Sequence, residues 1–159
     1  MFKVEIVAIG KISQDFLKAG EKEYIKRISP YYDTKIIELQ EQKLLGNSNS
    51  DISKVILEEG NRILKHLEKT RNPVFALAIE GGEVTSEGLA SYLQNISLEQ
   101  SGCSFIIGGS YGLSDDVKRR ATNLISLSKM TFPHQIARVV LLEQIYRAAT
   151  INNGITYHK

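Results

Sequence analysis

The chain has 159 residues, of which 42% are hydrophobic and 24% are charged, and its formal net charge is +2. This length fits one domain with its own core, and the composition is that of an ordinary soluble globular protein. Three prolines and no repeat period argue against a linker-rich or solenoid chain. The small positive charge also excludes a strongly basic nucleic-acid binder, so any RNA contact must come from a local patch, from two chains together or from a partner.

The single cysteine, Cys103, excludes an internal disulfide framework and a cysteine-only metal site. Cys103 stands at the head of an apolar run, which favours a buried, unreactive thiol in a reducing cytosol. The first ten residues lack a charged leader and a cleavage-like site, so we expect no signal peptide. No apolar run approaches the roughly 20 residues of a membrane span, and we expect a cytoplasmic protein.

Five short runs rich in Ile, Val, Leu and Phe predict β-strands. They span residues 2–9, 34–39, 74–79, 103–107 and 123–127. The near-continuous apolarity of VFALAI and FII is typical of strands that are covered on both faces, as in a parallel sheet.

Helical patterns follow each strand. Stripes with helical spacing predict helices over residues 14–28, 51–69, 85–95, 114–121 and 133–150. We expect Ser50 or Asp51 to cap the second helix, Ser114 to cap the fourth, and Pro133 to occupy the first turn of the last. The loop GNSNS, residues 46–50, is expected to be flexible. Strand–helix alternation predicts one three-layer α/β domain over the whole chain.

The stretch FIIGGSYGLSDD, residues 105–116, contains a G-x-S-x-G pattern. In a hydrolase nucleophile elbow, Ser110 would be the nucleophile, Asp115 or Asp116 the acid and His134 the base. An elbow requires a helix directly after the nucleophile, yet three residues intervene before the next helix cap. The acid also lies too close in sequence to come from a separate strand end. We therefore disfavour catalysis by this serine.

The same stretch is better explained as a cofactor-binding turn, in which Gly108 and Gly109 let a ligand approach the backbone. Neither a dinucleotide G-x-G-x-x-G motif nor a P-loop is present. Three loops at predicted strand ends, residues 77–83, 108–112 and 127–132, are where open α/β sheets bind ligands. An apolar slot for a flat ring could be formed by Leu77, Leu127 and Met130.

The last predicted helix is apolar on nearly every side and must be covered from several directions. Because it ends a small chain, a second copy is a natural cover, and we predict a homodimer. Glu143 and Arg147 form a favourable pair at helical spacing and are expected to satisfy each other. Arg138 has no such partner, so an anionic ligand or phosphate and a structural role both stay open.

His134 begins this helix, where the helix dipole disfavours the cationic imidazole. A neutral imidazole could accept a proton, although a structural role is the alternative. The chain ends Tyr157-His158-Lys159. Such a tail is either a solvated end or a set of groups suited to stacking on a nucleotide and contacting its phosphate.

Four strings resemble the RlmH family of ribosomal RNA methyltransferases, small members of the SPOUT class. They are YIKRISPYY (24–32), FIIGGSYGL (105–113), SKMTFPHQIARVVLLEQIYRA (128–148) and the terminal YHK. The resemblance implies an α/β knot with a C-terminal trefoil, which is an exception to ordinary topology. It also implies a homodimer that transfers methyl from S-adenosyl-L-methionine, without a metal, to N3 of pseudouridine 1915 in helix 69 of 23S rRNA, on the assembled ribosome.

By position, the resemblance assigns the cofactor contacts to Leu77, Gly108, Leu127, Ser128, Lys129, Met130, Thr131 and Phe132. N3 of pseudouridine is an imide nitrogen that must lose its proton, so the reaction needs a base near N3 and a cation or donor near the flanking carbonyls. We assign His134 or His158 to the base role. Arg138 is assigned to charge stabilisation or phosphate binding, and Tyr157 to stacking on the target base.

Two other functions stay open at this point. One is a non-catalytic ribosome- or RNA-binding module that uses a basic stripe on the first helix, formed by Lys18, Lys22 and Lys26. The other is the serine hydrolase that uses Ser110. Binding of S-adenosylmethionine separates both from the methyltransferase, because only the methyltransferase should bind it.

Overall fold

The structure is a computed structural model that describes residues 1–159. Along the chain the elements are β1 (Lys3–Ile9), α1 (Asp15–Ile28), β2 (Asp33–Leu39), α2 (Asn49–Leu67), β3 (Val74–Glu83), α3 (Ser86–Glu99), β4 (Gly102–Ile107), α4 (Asp115–Arg120), β5 (Asn123–Ser126) and α5 (His134–Asn152). The strands form one sheet in the order β2-β1-β4-β3-β5, and every neighbouring pair is parallel. The predicted α/β class is confirmed, whereas the trefoil knot stays a prediction.

Successive side chains of a strand point to opposite faces of the sheet, so apolar side chains lie on both faces. Helices cover both of these faces. Val4, Ile6 and Ala8 of β1 belong to a core that α1, α3 and α5 complete. Val7 and Ile9 belong to a second core, which α2 and α4 cover. The expected three layers are therefore present. None of the five helices combines the length and the apolarity that a membrane crossing requires.

Helix α5 lies on the sheet between α1 and α3. Leu141, Leu142 and Ile145 are completely buried by the chain itself. These residues therefore do not need the second copy that the sequence suggested as a natural cover for this helix. Ile136, which is 36% exposed, marks the part that stays open near the start of the helix. The homodimer stays a prediction, but it needs other support.

The start of α2 also differs from the prediction. Ser48 is the N-cap: its hydroxyl accepts a hydrogen bond from the backbone N–H of Asp51 (3.1 Å), and its own N–H donates to the Asp51 carboxylate (3.2 Å). This reciprocal capping box places Ser50 inside the first turn, so neither Ser50 nor Asp51 is the cap. Part of the loop that was expected to be flexible is thus helical. The predicted cap at Ser114 is confirmed.

Candidate functional site

A cavity of about 890 Å³ opens at the edge where the parallel strands end. Open α/β sheets bind ligands at this edge, and ligand sites occupy roughly 300–1,000 Å³. The lining consists of residues 77–80, 107–113, 126–128 and 130–134, together with Lys118 and Ala137. The three strand-end loops that the sequence indicated therefore meet around one cavity.

The first wall is an irregularity in β3. Leu77 and Gly82 are both paired with Ile125 of β5, so the residues between them bulge out of the ladder. A β-carbon on Gly81 would lie 2.7 Å from the backbone of Ile125, so the bulge can press against β5 only with glycine there. Ile79 was predicted to lie within a strand covered on both faces. It instead lines the cavity and is 53% exposed.

The second wall is the turn formed by residues 108–112, called here the glycine turn. The N–H of Gly112 donates to the carbonyl of Gly109 (3.1 Å), and Gly112 has φ +84°, which side chains rarely tolerate. A β-carbon on Gly108 would lie 3.0 Å from the backbone carbon of Gly112. Ser110 is exposed at the tip, and the next helix starts only at Asp115, so no nucleophile elbow is formed.

The third wall is the segment that joins β5 to α5. The Ser126 hydroxyl donates to the carbonyl of Ser128 (2.9 Å), and the Ser128 hydroxyl accepts from the N–H of Met130 (3.0 Å). These bonds fold the segment into a compact turn. Met130 is 75% exposed and Phe132 is 38% exposed, although both line the cavity. Exposed apolar side chains in a concave site are typical of a surface that a ligand covers.

Seven of the eight residues that the family resemblance assigns to the cofactor line this cavity. Lys129 does not: its ammonium nitrogen lies 3.9 Å from the carboxylate of Glu83, outside the lining. The site thus offers an apolar slot and the backbone groups of the glycine turn. These features fit a flat, partly apolar ligand.

His134 lies at the cavity and begins α5. Burial is the main cause that lowers its pKa; the cation of Arg138 acts in the same direction, and the carboxylate of Glu41 opposes both. The imidazole is therefore neutral near pH 7 and can accept a proton. The sequence-based expectation of a neutral histidine is supported, although its principal cause is burial.

Arg138 requires a correction. It is 1% exposed and does not line the cavity. Its guanidinium donates to Glu38 (2.8 Å), to Glu21 (3.2 Å) and to the carbonyl of Gly10 (3.0 Å). The sequence suggested an arginine without a partner because these acceptors lie far away along the chain. The guanidinium is thus occupied by acceptors of its own chain, and its assignment to charge stabilisation or phosphate binding stays a prediction.

Tyr157 and His158 do not line the cavity of their own chain. The Tyr157 hydroxyl donates to Glu143 (3.0 Å), and the two ring nitrogens of His158 lie near Arg147 (3.2 Å) and Glu87 (2.9 Å). Glu143 and Arg147 are paired as predicted. The tail is thus held against α3 and α5 rather than solvated, and it is not brought together with His134.

Sequence reasoning missed two charged residues at the cavity. Lys118 of α4 and Glu80 of the β3 bulge form an ion pair there, and this pair lowers the pKa of Glu80. Nothing in the local sequence pattern connects a helix lysine with a strand-end glutamate. Only the position of α4 beside β3 reveals the pair.

Comparisons with known proteins agree with this geometry. The family SPOUT_MTase, described as "Predicted SPOUT methyltransferase", matches residues 2–158. A protein of Halothermothrix orenii named ribosomal RNA large subunit methyltransferase H is 44% identical over 159 residues and covers 99% of both chains. Proteins of the same name from Clostridium botulinum and Streptococcus thermophilus are each 46% identical, over 98% and 99% of this chain and 99% of their own.

Solved structures show the same fold at much lower identity. A structure described as a probable methyltransferase from Bordetella pertussis has a TM-score of 0.61 and 11% identity, over 93% of this chain and 95% of its own. A probable methylase family protein from Haemophilus influenzae has a TM-score of 0.56 and 11% identity, over 98% of this chain and 70% of its own. At this identity the likeness concerns the fold alone.

Proposed function

The chain belongs to the SPOUT methyltransferase family, and from this premise we propose that it transfers methyl from S-adenosyl-L-methionine to N3 of a pseudouridine in helix 69 of 23S rRNA. The name shared by relatives that are 44–46% identical over almost the whole chain supports an rRNA methyltransferase. The principal observation is the convergence of seven of the eight expected cofactor residues on one cavity. We further propose that it acts in the cytoplasm, where the ribosome is available.

The cofactor would be held by the three walls. Leu77, Leu127 and Met130 offer apolar surface for a flat ring, and the glycine turn exposes backbone groups for polar contacts. When bound, the cofactor supplies an electrophilic methyl group on a sulfonium sulfur. The absence of large side chains at Gly108 and Gly109 lets the ligand approach the backbone, and fixed positioning of two reactants accounts for much of the rate acceleration in such reactions.

We assign His134 as the base that accepts the proton of N3. It lines the cavity, starts α5, and is neutral near pH 7 because burial lowers its pKa. A neutral imidazole within hydrogen-bond reach of an imide N–H can accept its proton while the new nitrogen–carbon bond forms. Arg138 acts on His134 through its charge and through the anchoring of α5, without contact with substrate.

The tail leads us to propose a homodimer as the active form. Tyr157 and His158 lie against their own α3 and α5, away from their own cavity. A contribution of the tail to the target base therefore requires the cavity of a second copy. Ile136, an exposed apolar residue of α5 outside the cavity lining, is available for such a contact or for the RNA. The net charge of +2 favours an assembled ribosome over free RNA as the substrate.

The test uses labelled S-adenosylmethionine and ribosomes from a strain that lacks the gene. We expect one labelled pseudouridine in helix 69 on assembled ribosomes, and little labelling of free 23S rRNA. Calorimetric titration should show that the protein binds S-adenosylmethionine. Ser110→Ala, on the tip of the glycine turn, should keep methyl transfer. Failure to bind the cofactor would favour a non-catalytic ribosome-binding module, and loss of an esterase activity in Ser110→Ala would favour a hydrolase.

A further inference from the structure

Glu59 of α2 is a buried acid that the reaction described above does not use. It is 2% exposed. One carboxyl oxygen, Oε2, accepts a hydrogen bond from the backbone N–H of Gln42 (3.0 Å). The other, Oε1, is buried without any hydrogen-bond partner. A buried polar atom without a partner costs free energy, so its retention calls for a specific explanation.

The unpartnered oxygen faces the back of the glycine turn. A β-carbon on Gly109 would lie 2.8 Å from Oε1 of Glu59 and 3.2 Å from Oε2. Gly109 also lines the cavity. The cavity and this carboxyl therefore meet at one residue, and that residue has no side chain.

The neighbouring residue on α2 supports the end of the same loop. Gly60 lies so close to Ser114 that a β-carbon on Gly60 would overlap the serine hydroxyl. Ser114 caps α4, the helix that follows the glycine turn. Glu59 and Gly60 thus lie directly against Gly109 of the glycine turn and against Ser114, which follows it.

Glu59 also fixes the segment after β2. The Gln42 N–H donates to Glu59, and Arg62 donates to the carbonyl of Gln40 (3.1 Å) and to the side chain of Gln42 (2.6 Å). Between these two glutamines lies Glu41, the acid whose charge raises the pKa of His134. One face of α2 therefore lies against the glycine turn and is hydrogen-bonded to the segment whose charge acts on His134.

We propose that Glu59 is a positioning residue for the methyl donor: its carboxyl supports the glycine turn from behind, and its free oxygen is available to the turn's backbone when the cofactor binds. This inference rests on the proposed function. Burial and the charge of Glu41 raise the pKa of Glu59, whereas the Gln42 N–H and Arg62 lower it. Burial is the largest of these effects, and a carboxyl with an added proton could donate from Oε1 as well as accept.

The test compares Glu59→Gln with Glu59→Ala. Glutamine keeps the shape of the side chain and an uncharged hydrogen-bond donor. The affinity for S-adenosylmethionine and the turnover should therefore stay within about twofold of wild type. Alanine removes the support, so KM for S-adenosylmethionine should rise about tenfold or more while kcat at saturating donor changes less, because donor binding is what the turn controls. Glu58→Gln, the same change on the adjacent residue of α2, is the matched control and should leave both parameters unchanged.

A second pair of variants keeps the test decisive if Glu59→Ala folds poorly. Gly109→Ala places a methyl group against the carboxyl and should weaken donor binding. Glu59→Ala removes the two carboxyl oxygens from that methyl and leaves only Ile9 near it, at 3.2 Å. The loss of S-adenosylmethionine affinity caused by Gly109→Ala should therefore be smaller in the Glu59→Ala background than in wild type. Such non-additivity is the expected signature of direct contact.

Two results would overturn the inference while leaving the proposed function intact. One is a folded Glu59→Ala that binds S-adenosylmethionine as tightly as wild type. The other is a Glu59→Gln as impaired as Glu59→Ala, which would mean that the negative charge is needed. If wild type itself does not bind the donor, the proposed function fails instead.

Discussion

Arg138 of α5 donates a hydrogen bond to the backbone carbonyl of Gly10 at 3.0 Å, and so connects the helix that begins at the cavity to the end of the first strand. The same guanidinium pairs with Glu38 of β2 and Glu21 of α1. Three elements from the first quarter of the chain are thereby fixed to the last helix. Arg138 holds α5, and with it His134, in place over the sheet.

Arg138→Ala should therefore destabilise the protein as well as reduce turnover. Removing one partner of a buried ion pair costs about 3–5 kcal/mol, and we expect the lower end because both carboxylates are partly exposed. Arg119→Ala, which breaks an exposed pair with Asp116, should cost about 1 kcal/mol or less and is the matched control. Denaturant unfolding measures both. A fully stable Arg138→Ala with lost turnover would instead support direct contact between Arg138 and the substrate.

His134 should give the methyl transfer rate a dependence on pH. Since the base must be neutral, activity should fall on the acid side of a pKa below the ordinary histidine value of about 6.5. Glu41→Gln removes the carboxylate that raises this pKa, so the acid limb should move to still lower pH. The measurement is kcat/KM against pH for wild type, Glu41→Gln and His134→Gln. An acid limb that persists unchanged in His134→Gln would remove His134 from the base role.

Gly108 should tolerate no side chain without a loss of donor affinity. A β-carbon there would lie 3.0 Å from both the backbone carbon of Gly112 and the side chain of Leu113, and the backbone cannot yield easily. Gly108→Ala should weaken S-adenosylmethionine binding about tenfold, as a small displacement of a positioning loop does. Gly82→Ala is the control, since its β-carbon would meet nothing closer than 4.0 Å. Equal calorimetric affinities for the two variants would contradict a role of the glycine turn in binding.

The fold was predictable because its signals are local. Continuous apolar runs predicted the strands, and a serine before two acidic residues predicted the helix cap at Ser114. The partners of Arg138 were not predictable, because Gly10 and Glu38 are brought to it only by the order of strands in the sheet. Glu59 left a weaker signal: it falls on the buried stripe between Val55 and Ile63 at helical spacing.

The tail should affect turnover without affecting donor binding. Tyr157 and His158 lie outside the cavity of their own chain, so removing residues 157–159 should leave S-adenosylmethionine affinity near the wild-type value. If the tail holds the target base in a second copy's site, turnover should fall by about 10²-fold or more through lost positioning. Lys159→Ala, at the exposed end, should change neither. Full activity of the truncated chain would contradict this role.

Glu59 should make stability depend on pH in a direction opposite to that of most acids. Its pKa is raised in the folded protein, mainly by burial and further by Glu41, against the effects of the Gln42 N–H and of Arg62. The folded state therefore binds this proton more tightly than the unfolded chain does. The stabilisation that comes from this proton is complete below the ordinary glutamate pKa of about 4.3. It is lost as the pH rises through the raised pKa of Glu59 in the folded protein.

Glu59→Gln has no titrating proton at this position, so its free energy of unfolding should not decline for this reason as the pH rises. At neutral pH its free energy of unfolding should equal or exceed that of wild type. Denaturant unfolding of both proteins across pH 4 to 8 isolates the effect, because all other titrating groups are shared. Glu58→Gln, changed on the same helix without a buried carboxyl, should follow the wild-type curve. A Glu59→Gln curve parallel to wild type would show that this carboxyl keeps an ordinary pKa. The unpaired oxygen behind Gly109 would then belong to a carboxylate that is charged in the folded protein.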